Sequence, residues 1–416
     1  MSSLNLTSLA DDLRTNAFAA PAGSPPRRIG AEVEFIPVEA LTGRRCAIES
    51  DEVTSTLPLL RRVAAVQDWV EGRTSKGTPC FSIPDGGAIT YEPGGQLEYS
   101  SPPCPTASSL LAVLRSVVLP LRTAARAEGI DLLATGIDPF NSADDAPMLV
   151  SAERYDKMAE YFATIGPSGA QMMRQTASFQ INLDFDQESW LRWRVLNALA
   201  PYVTAIFANS PVYARCPTGY QSTRAAVWRG VDRSRTGIAF DPDRPVECYR
   251  DFALAAPAML LPTVEGRYPS FAEWLSRGSP SLEQWHDHLS TLFPEVRPRG
   301  HLELRSADVV PPHWFAAPIA FVAGIVYEPG ALRTANTVLG APNSDLLDRA
   351  ARCGMHDSAL RRTAADLFEI ALSGCTTLGP DYFHPSDVEQ ARAFYDRYTR
   401  GGRAPADDLL EDAVAA

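Results

Sequence analysis

A chain of 416 residues with 45% apolar and 21% charged residues has the composition of a soluble globular protein, large enough for one big α/β domain or two ordinary ones. Its net charge of −12, with no run of Lys and Arg, argues against nucleic acid as a partner and leaves small-molecule chemistry open. The seven cysteines are odd in number and include no Cys-x-x-Cys pair, which argues against a zinc ribbon or disulfide framework and fits reduced thiols in the cytoplasm.

The N-terminus carries Asp11 and Asp12 and no apolar core, so it does not read as a signal peptide. Residues 4–18 read as a short amphipathic helix, followed by an Ala/Pro/Gly/Ser arm ending at Pro25-Pro26. A first strand begins near Arg27, and 52–67 has the helical spacing of Val53, Leu57, Leu60 and Val63. Strand-like runs follow at 79–83, 87–91 and 96–100. Residues 107–128 form a helix with Leu110, Leu111, Leu114, Val117, Val118 and Leu121 on one side and Gly129 as its stop. Ile130–Ile137 reads as a strand, and helices at 154–165 and 190–207 flank a strand at 177–185. The segment 211–247 is rich in Arg, Gly and Pro and is expected to be loops over a site, with the role of a lid. A strand at 301–305 leads to a helix at 313–326, whose apolar run from Trp314 to Tyr327 is too short for a membrane span and suits a buried helix. Further helices lie in 344–374, and the acidic tail from Gly401 is expected to be mobile. The division expected is an N-terminal helix and arm (1–26), one catalytic domain (27–400) and the tail (401–416). Long helices between isolated strands suit an α+β fold with a mixed, largely antiparallel sheet better than a regular βαβ series. No Gly-x-Gly-x-x-Gly follows a strand and no Walker loop is present, so any nucleotide has to be held through metals and arginines.

Four segments carry polar residues two apart, the spacing that puts side chains on one face of a strand. They contain Glu32 and Glu34; Glu92, Gln96 and Glu98; Gln180, Asn182 and Asp184; and His301, Glu303 and Arg305. Any half-solvated sheet produces one such row. Four rows of carboxylates, amides and Arg suggest a polar cavity walled by a sheet, where crowded carboxylates repel one another unless hard cations such as Mg²⁺ or Mn²⁺ sit between them. Mg²⁺ with an Arg is an apparatus for handling nucleotide phosphates.

These segments resemble the glutamate–cysteine ligases of the plant and actinobacterial type, including the ligase that opens ergothioneine biosynthesis. The resemblance is ordered from Arg27 to Tyr327. It runs through Gly30-Ala31-Glu32-Val33-Glu34-Phe35, Glu92-Pro93-Gly94-Gly95-Gln96-Leu97-Glu98 and Arg154-Tyr155-Asp156-Lys157-Met158. It continues with Gln175-Thr176-Ala177-Ser178-Phe179-Gln180-Ile181-Asn182, Ser222-Thr223-Arg224 with Trp228 and Arg235, and His301-Leu302-Glu303-Leu304-Arg305. It implies a glutamine-synthetase-like sheet curved into a funnel, with helices packed outside. The implied reaction is ATP-dependent joining of L-glutamate to L-cysteine through γ-glutamyl phosphate, a first product that glutathione and ergothioneine routes share. The implied roles are metal ligation by Glu32, Glu34, Glu98, Glu303 and Glu92, and stabilisation of the transferring phosphoryl group by Arg305. Gln96, Gln180, Asn182, Arg224, Trp228 and Arg235 are implied substrate or ATP contacts, with Mg²⁺, or Mn²⁺ in its place, as the metal.

Each residue has a plainer reading. Glu32 and Glu34 would suit the solvent face of an edge strand, Gln180 and Asn182 a structural amide network, and Arg305 an ion pair with Glu303. Gly94-Gly95 reads first as a tight turn, and would also let a phosphate approach the backbone. His286-Asp287-His288 lies in a helical context where the two imidazoles diverge, which disfavours a zinc site. Two other functions fit the same rows: a carboxylate–amine ligase with a different amine acceptor, and an inactive binding protein that kept the fold.

Overall fold

A computed structural model describes residues 4–19, 27–75, 77–185, 189–278 and 280–415. Its spine is β1 (Ile29–Glu39), whose alternating sequence is buried at Ala31, Val33 and Phe35 and polar at Glu32 and Glu34. Strands β2 (Val70–Arg73), β3 (Pro79–Ser82), β4 (Ala88–Tyr91) and β5 (Leu97–Ser100) extend the sheet on one side of it. β6 (Ile130–Leu133) pairs the C-terminal half of β1. β7 (Ser178–Asp184), β8 (Val296–Pro298) and β9 (His301–Asp308) continue the sheet on the other side. The order is β8-β9-β7-β1-β5-β4-β3-β2, with every pairing antiparallel. The largely antiparallel α+β sheet expected from the sequence is therefore present; β2 is an addition to it.

Helices pack around the sheet. The first four are α1 (Leu6–Asp12), α2 (Leu57–Gln67), α3 (Ala107–Ala127) and α4 (Glu153–Ala163). α5 (Ser168–Gln175), α6 (Ser189–Ile206), α7 (Thr223–Val231) and α8 (Pro245–Ala255) follow. α3 starts at a capping box of Thr106 and Ser109, buries the predicted leucine and valine stripe, and is followed by Gly129 at φ +72°. By length and composition α3 would also suffice to cross a membrane; here that stripe is buried in the core. α2 begins later than its periodicity suggested, with Pro58 in the first turn, where no donor is needed.

The C-terminal half adds α9 (Phe271–Arg277), α10 (Leu282–Leu289), α11 (Ala316–Tyr327) and α12 (Pro329–Leu339). The last four are α13 (Asp345–Cys353), α14 (Ser358–Leu378), α15 (Pro385–Arg397) and α16 (Pro405–Ala415). All twelve residues of α11 are buried, which explains a run apolar on every side.

Two expectations are corrected. The segment 211–247 is not all loop: Ser222 caps α7 through the Ala225 N–H, and α7 buries Val227 and Val231 in a second small core with Met158, Met172 and Met173. The residues after Gly401 carry α16, with Ala404 and Ala406 fully buried and the Ala406 N–H donating to the Ala208 carbonyl. Acidic composition concealed this docking because small alanines, rather than large apolar residues, make the contact.

Candidate functional site

Register aligns the polar residues across the sheet. Arg297 of β8 faces Glu303 of β9, which faces Asn182 of β7. Gln180 faces Glu32, which faces Ser100. Glu34 faces Glu98, which faces Thr90. β9 carries one extra residue between Leu304 and Ala307, a bulge that sets both Arg305 and Ser306 against Gln180. The rows form one wall of a cavity of about 910 Å³, and α4, α5 and α7 supply the facing wall with Arg154, Tyr155, Met158, Met172, Met173, Arg224 and Trp228.

The wall is electrically divided. At the β1–β5 end, Glu98 accepts from Ser100 Oγ at 2.8 Å, and burial followed by the charges of Glu32, Glu92 and Glu34 pushes its carboxyl well above the usual range. Glu32, accepting from Asn182 Nδ2 at 3.2 Å, is raised by burial and by Glu303. Glu34 accepts from the Ser178 N–H at 2.7 Å and Ser178 Oγ at 2.9 Å, and burial still raises it against the pull of Arg224. Among the described residues no three carboxylate, imidazole or thiol groups already converge as a metal cage. Carboxylates spread along a wall, each short of positive charge, fit Mg²⁺, which takes one or two carboxylates and fills its shell with substrate oxygens.

The β8–β9 end is cationic. Glu303, expected as a metal ligand, instead has both oxygens engaged. Arg297 donates to it from Nε at 2.5 Å and from Nη2 at 3.0 Å, Arg305 from Nη1 at 3.2 Å and Arg299 from Nη1 at 3.4 Å. Burial alone would raise its carboxyl, but Arg297, Arg305 and Arg299 hold it far below the usual range. As it stands, Glu303 organises arginines; a cation would reach it only if a guanidinium moved away. Arg305 also donates to Gln180 Oε1 at 2.5 Å and lies 5.4 Å from the Trp228 ring centroid. Arg224 donates from Nη2 to the Arg305 carbonyl at 2.7 Å, steadying the bulge.

Several buried polar atoms on the two walls lack partners: Gln96 Oε1 and Asn182 Oδ1 on the sheet side, and Arg224 Nε and Trp228 Nε1 on α7. Gln96, Arg224 and Trp228 line the cavity itself. An orphaned buried group costs about 1–3 kcal/mol, so three together mark a surface shaped for a polar ligand.

Arg235 is not brought to the site. It is fully buried, donating from Nε to Asp232 at 2.8 Å, from Nη1 to the Thr291 carbonyl at 3.1 Å and from Nη2 to the Pro257 carbonyl at 2.6 Å. It is a structural clamp, and Asp232-x-x-Arg235 was the signal that it had a local partner. Gly94 is a packing glycine rather than a phosphate approach: a Cβ there would lie 2.3 Å from the Arg174 carbonyl oxygen. Gly94→Ala should destabilise by about 1–3 kcal/mol, read as a lowered melting temperature with an unchanged KM for glutamate. The two histidines of α10 diverge, His286 meeting Asp12 and His288 the Ala253 carbonyl.

The resemblance also runs through Arg154, Ser178, Arg297 and Arg299 but implied no role for them, and Asp12 and Asn16 lay outside it; all six line the cavity. Arg297 and Arg299, two apart before the β9 strand, carried the same alternation as the four rows; Asp12 had no such signal.

The family described as glutamate-cysteine ligase family 2 (GCS2) matches residues 28–415. The chain is 32% identical over 349 residues to glutamate–cysteine ligase EgtA of Mycolicibacterium smegmatis, covering 80% of this chain and 79% of that protein. It is 32% identical over 379 residues to the chloroplastic glutamate–cysteine ligase of Medicago truncatula, covering 85% and 73%. With the chloroplastic enzyme of Arabidopsis thaliana the identity is 30% over 410 residues, covering 92% and 76%.

Proposed function

Because this chain belongs to glutamate–cysteine ligase family 2, we propose that it uses ATP to join the γ-carboxylate of L-glutamate to the amine of L-cysteine. The observation that carries the reading through the structure is the divided wall: carboxylates at one end and guanidinium groups at the other, facing one cavity. Polyphosphate needs cations at both ends of its path, and each end answers differently. Mg²⁺, or Mn²⁺ in its place, would be held by Glu32, Glu34, Glu98 and Glu92 and supplies neutralisation of the phosphate charge. Arg305, fixed by Gln180, Glu303 and Trp228, is aimed to hydrogen-bond the phosphoryl oxygens as they pass from ADP to glutamate. Arg154, Arg224, Trp228 and Gln96 hold glutamate so that its γ-carboxylate oxygen attacks the γ-phosphorus with ADP leaving. The cysteine amine then attacks the acyl carbon of γ-glutamyl phosphate, and inorganic phosphate departs. The free state of all seven thiols suits a cytoplasmic enzyme.

ADP release measured with each amino acid withheld in turn tests this reading. Turnover is expected only with glutamate present, and its full rate only with cysteine. A rate unchanged when cysteine is replaced by other amines would move the assignment to another acceptor, and no turnover with either amino acid would remove it. EDTA should stop the reaction and Mg²⁺ or Mn²⁺ should restore it; recovery with zinc alone would contradict the oxygen-ligand wall.

A further inference from the structure

Residues 4–19 precede the part of the chain that the family matches, yet they do not trail away from the site. Leu9 and Leu13 are fully buried, and the Phe18 ring packs against Trp193 at 5.2 Å, Trp190 at 5.5 Å and Tyr249 at 5.7 Å between centroids. These anchors carry Asp12, Asn16 and Ala17 to the cavity, beside the exposed residues His286, Asp287 and Ser290 that mark its rim. Asp12 is the knot. It accepts from Trp285 Nε1 at 3.0 Å, pairs with His286 Nε2 at 2.9 Å and accepts from Asn16 Nδ2 at 2.7 Å. Five residues on, the Ala17 carbonyl accepts from the Gly300 N–H at 2.9 Å, at the turn of the β8–β9 hairpin that bears Arg297, Arg299 and Glu303. One short segment thus ties α10 on the rim to the cationic hairpin of the wall.

We propose that this N-terminal segment is a working wall of the active site, and that Asp12 is a positioning residue that keeps bulk water from the acyl phosphate. The inference rests on the ligase reading above. γ-Glutamyl phosphate has two available fates. Attack of the cysteine amine on its acyl carbon expels phosphate and gives the dipeptide; attack of water expels the same phosphate and returns glutamate, so that ATP and water become ADP and phosphate without product. Both attacks begin at the same carbon, and only exclusion of water favours the first. Of the segment 211–247, expected to act as a lid, α7 is packed into the second core and reaches the cavity with Arg224 and Trp228; α10 and Asp12, Asn16 and Ala17 line its rim.

The test is the ratio of ADP released to γ-glutamylcysteine formed, measured in the same aliquots of full-length wild type, Asp12→Ala, Asp12→Asn and Phe18→Ala. The wild type is expected near one to one, and Asp12→Ala and Phe18→Ala should release ADP in about twofold excess or more, with faster ADP release in the absence of cysteine. Unfolded molecules consume no ATP and form no dipeptide, so the ratio reads only folded enzyme, and a merely structural role leaves it unchanged. Asp12→Asn supplies the same reading where the alanine variant accumulates poorly. A ratio of one in every variant overturns the proposal. A wild type that forms no dipeptide overturns the ligase reading instead, so the two failures are distinct.

Discussion

Glu98→Gln is expected to stabilise the ligand-free protein and to abolish its activity. Glu98 lies directly across from Glu34, lines the cavity, and feels Glu32 and Glu92 as well. Like charges opposed across strands are destabilising. The sign follows from linkage: its carboxyl ionises near pH 4.3 in the unfolded chain, roughly, but at a higher pH in the folded one. The folded state therefore bears a cost at any pH above the unfolded value, and loses that cost when acid protonates the group. Glutamine keeps the shape, removes the charge and should raise the melting temperature at pH 7 by roughly 1–3 °C. The same change removes an oxygen anion from the end of the wall that answers polyphosphate. Turnover should fall about 10²–10³-fold, in line with loss of one preorganised electrostatic contact. Calorimetry without ligands and an ADP-release assay on one preparation read both effects. A variant that is less stable and still active would show Glu98 to be structural.

Opposite signs for stability and activity are what a site under electrostatic strain gives, and they show why the polar wall could be read in the sequence at all. Residues placed only for stability would not put Glu34 opposite Glu98. Alternation over 29–35, 96–100 and 178–184 fixed which side chains share a face, and register needed only to bring those faces together. The bulge after Leu304 was invisible to periodicity, because a single inserted residue changes only where Arg305 points. Arginine was the least legible residue type. Arg235 and Arg305 both occur in quoted motifs, yet one is locked to Asp232 and two backbone carbonyls while the other faces the cavity. No local pattern separates a guanidinium that serves the backbone from one that serves a ligand. The N-terminal segment was hidden differently. Its contacts with Trp285, His286 and Gly300 cross more than 260 residues of chain, a separation over which spacing carries no information.

Arg305→Lys should lower kcat about 10²–10³-fold while changing the KM for glutamate and the melting temperature little. Lysine keeps the charge and loses the planar guanidinium that lies over Trp228, whose Nη1 donates to both Gln180 and Glu303 and whose remaining N–H groups are left for the phosphoryl oxygens. If Arg305 were chiefly the structural partner of Glu303, its loss should unfold the wall, since a buried carboxylate stripped of its cation is costly. Here Glu303 is not stripped: Arg297 holds both of its oxygens at 2.5 and 3.0 Å, and Arg299 reaches one at 3.4 Å. Stability should therefore follow Arg297. Arg297→Lys breaks the two-point pair with a fully buried carboxylate and should lower the melting temperature clearly more than Arg305→Lys does. Measuring kcat, KM and melting temperature for both variants separates the roles. A large loss of stability in Arg305→Lys, with kcat preserved, would return Arg305 to the scaffold and leave the transferring phosphoryl group to Arg297 and Arg299.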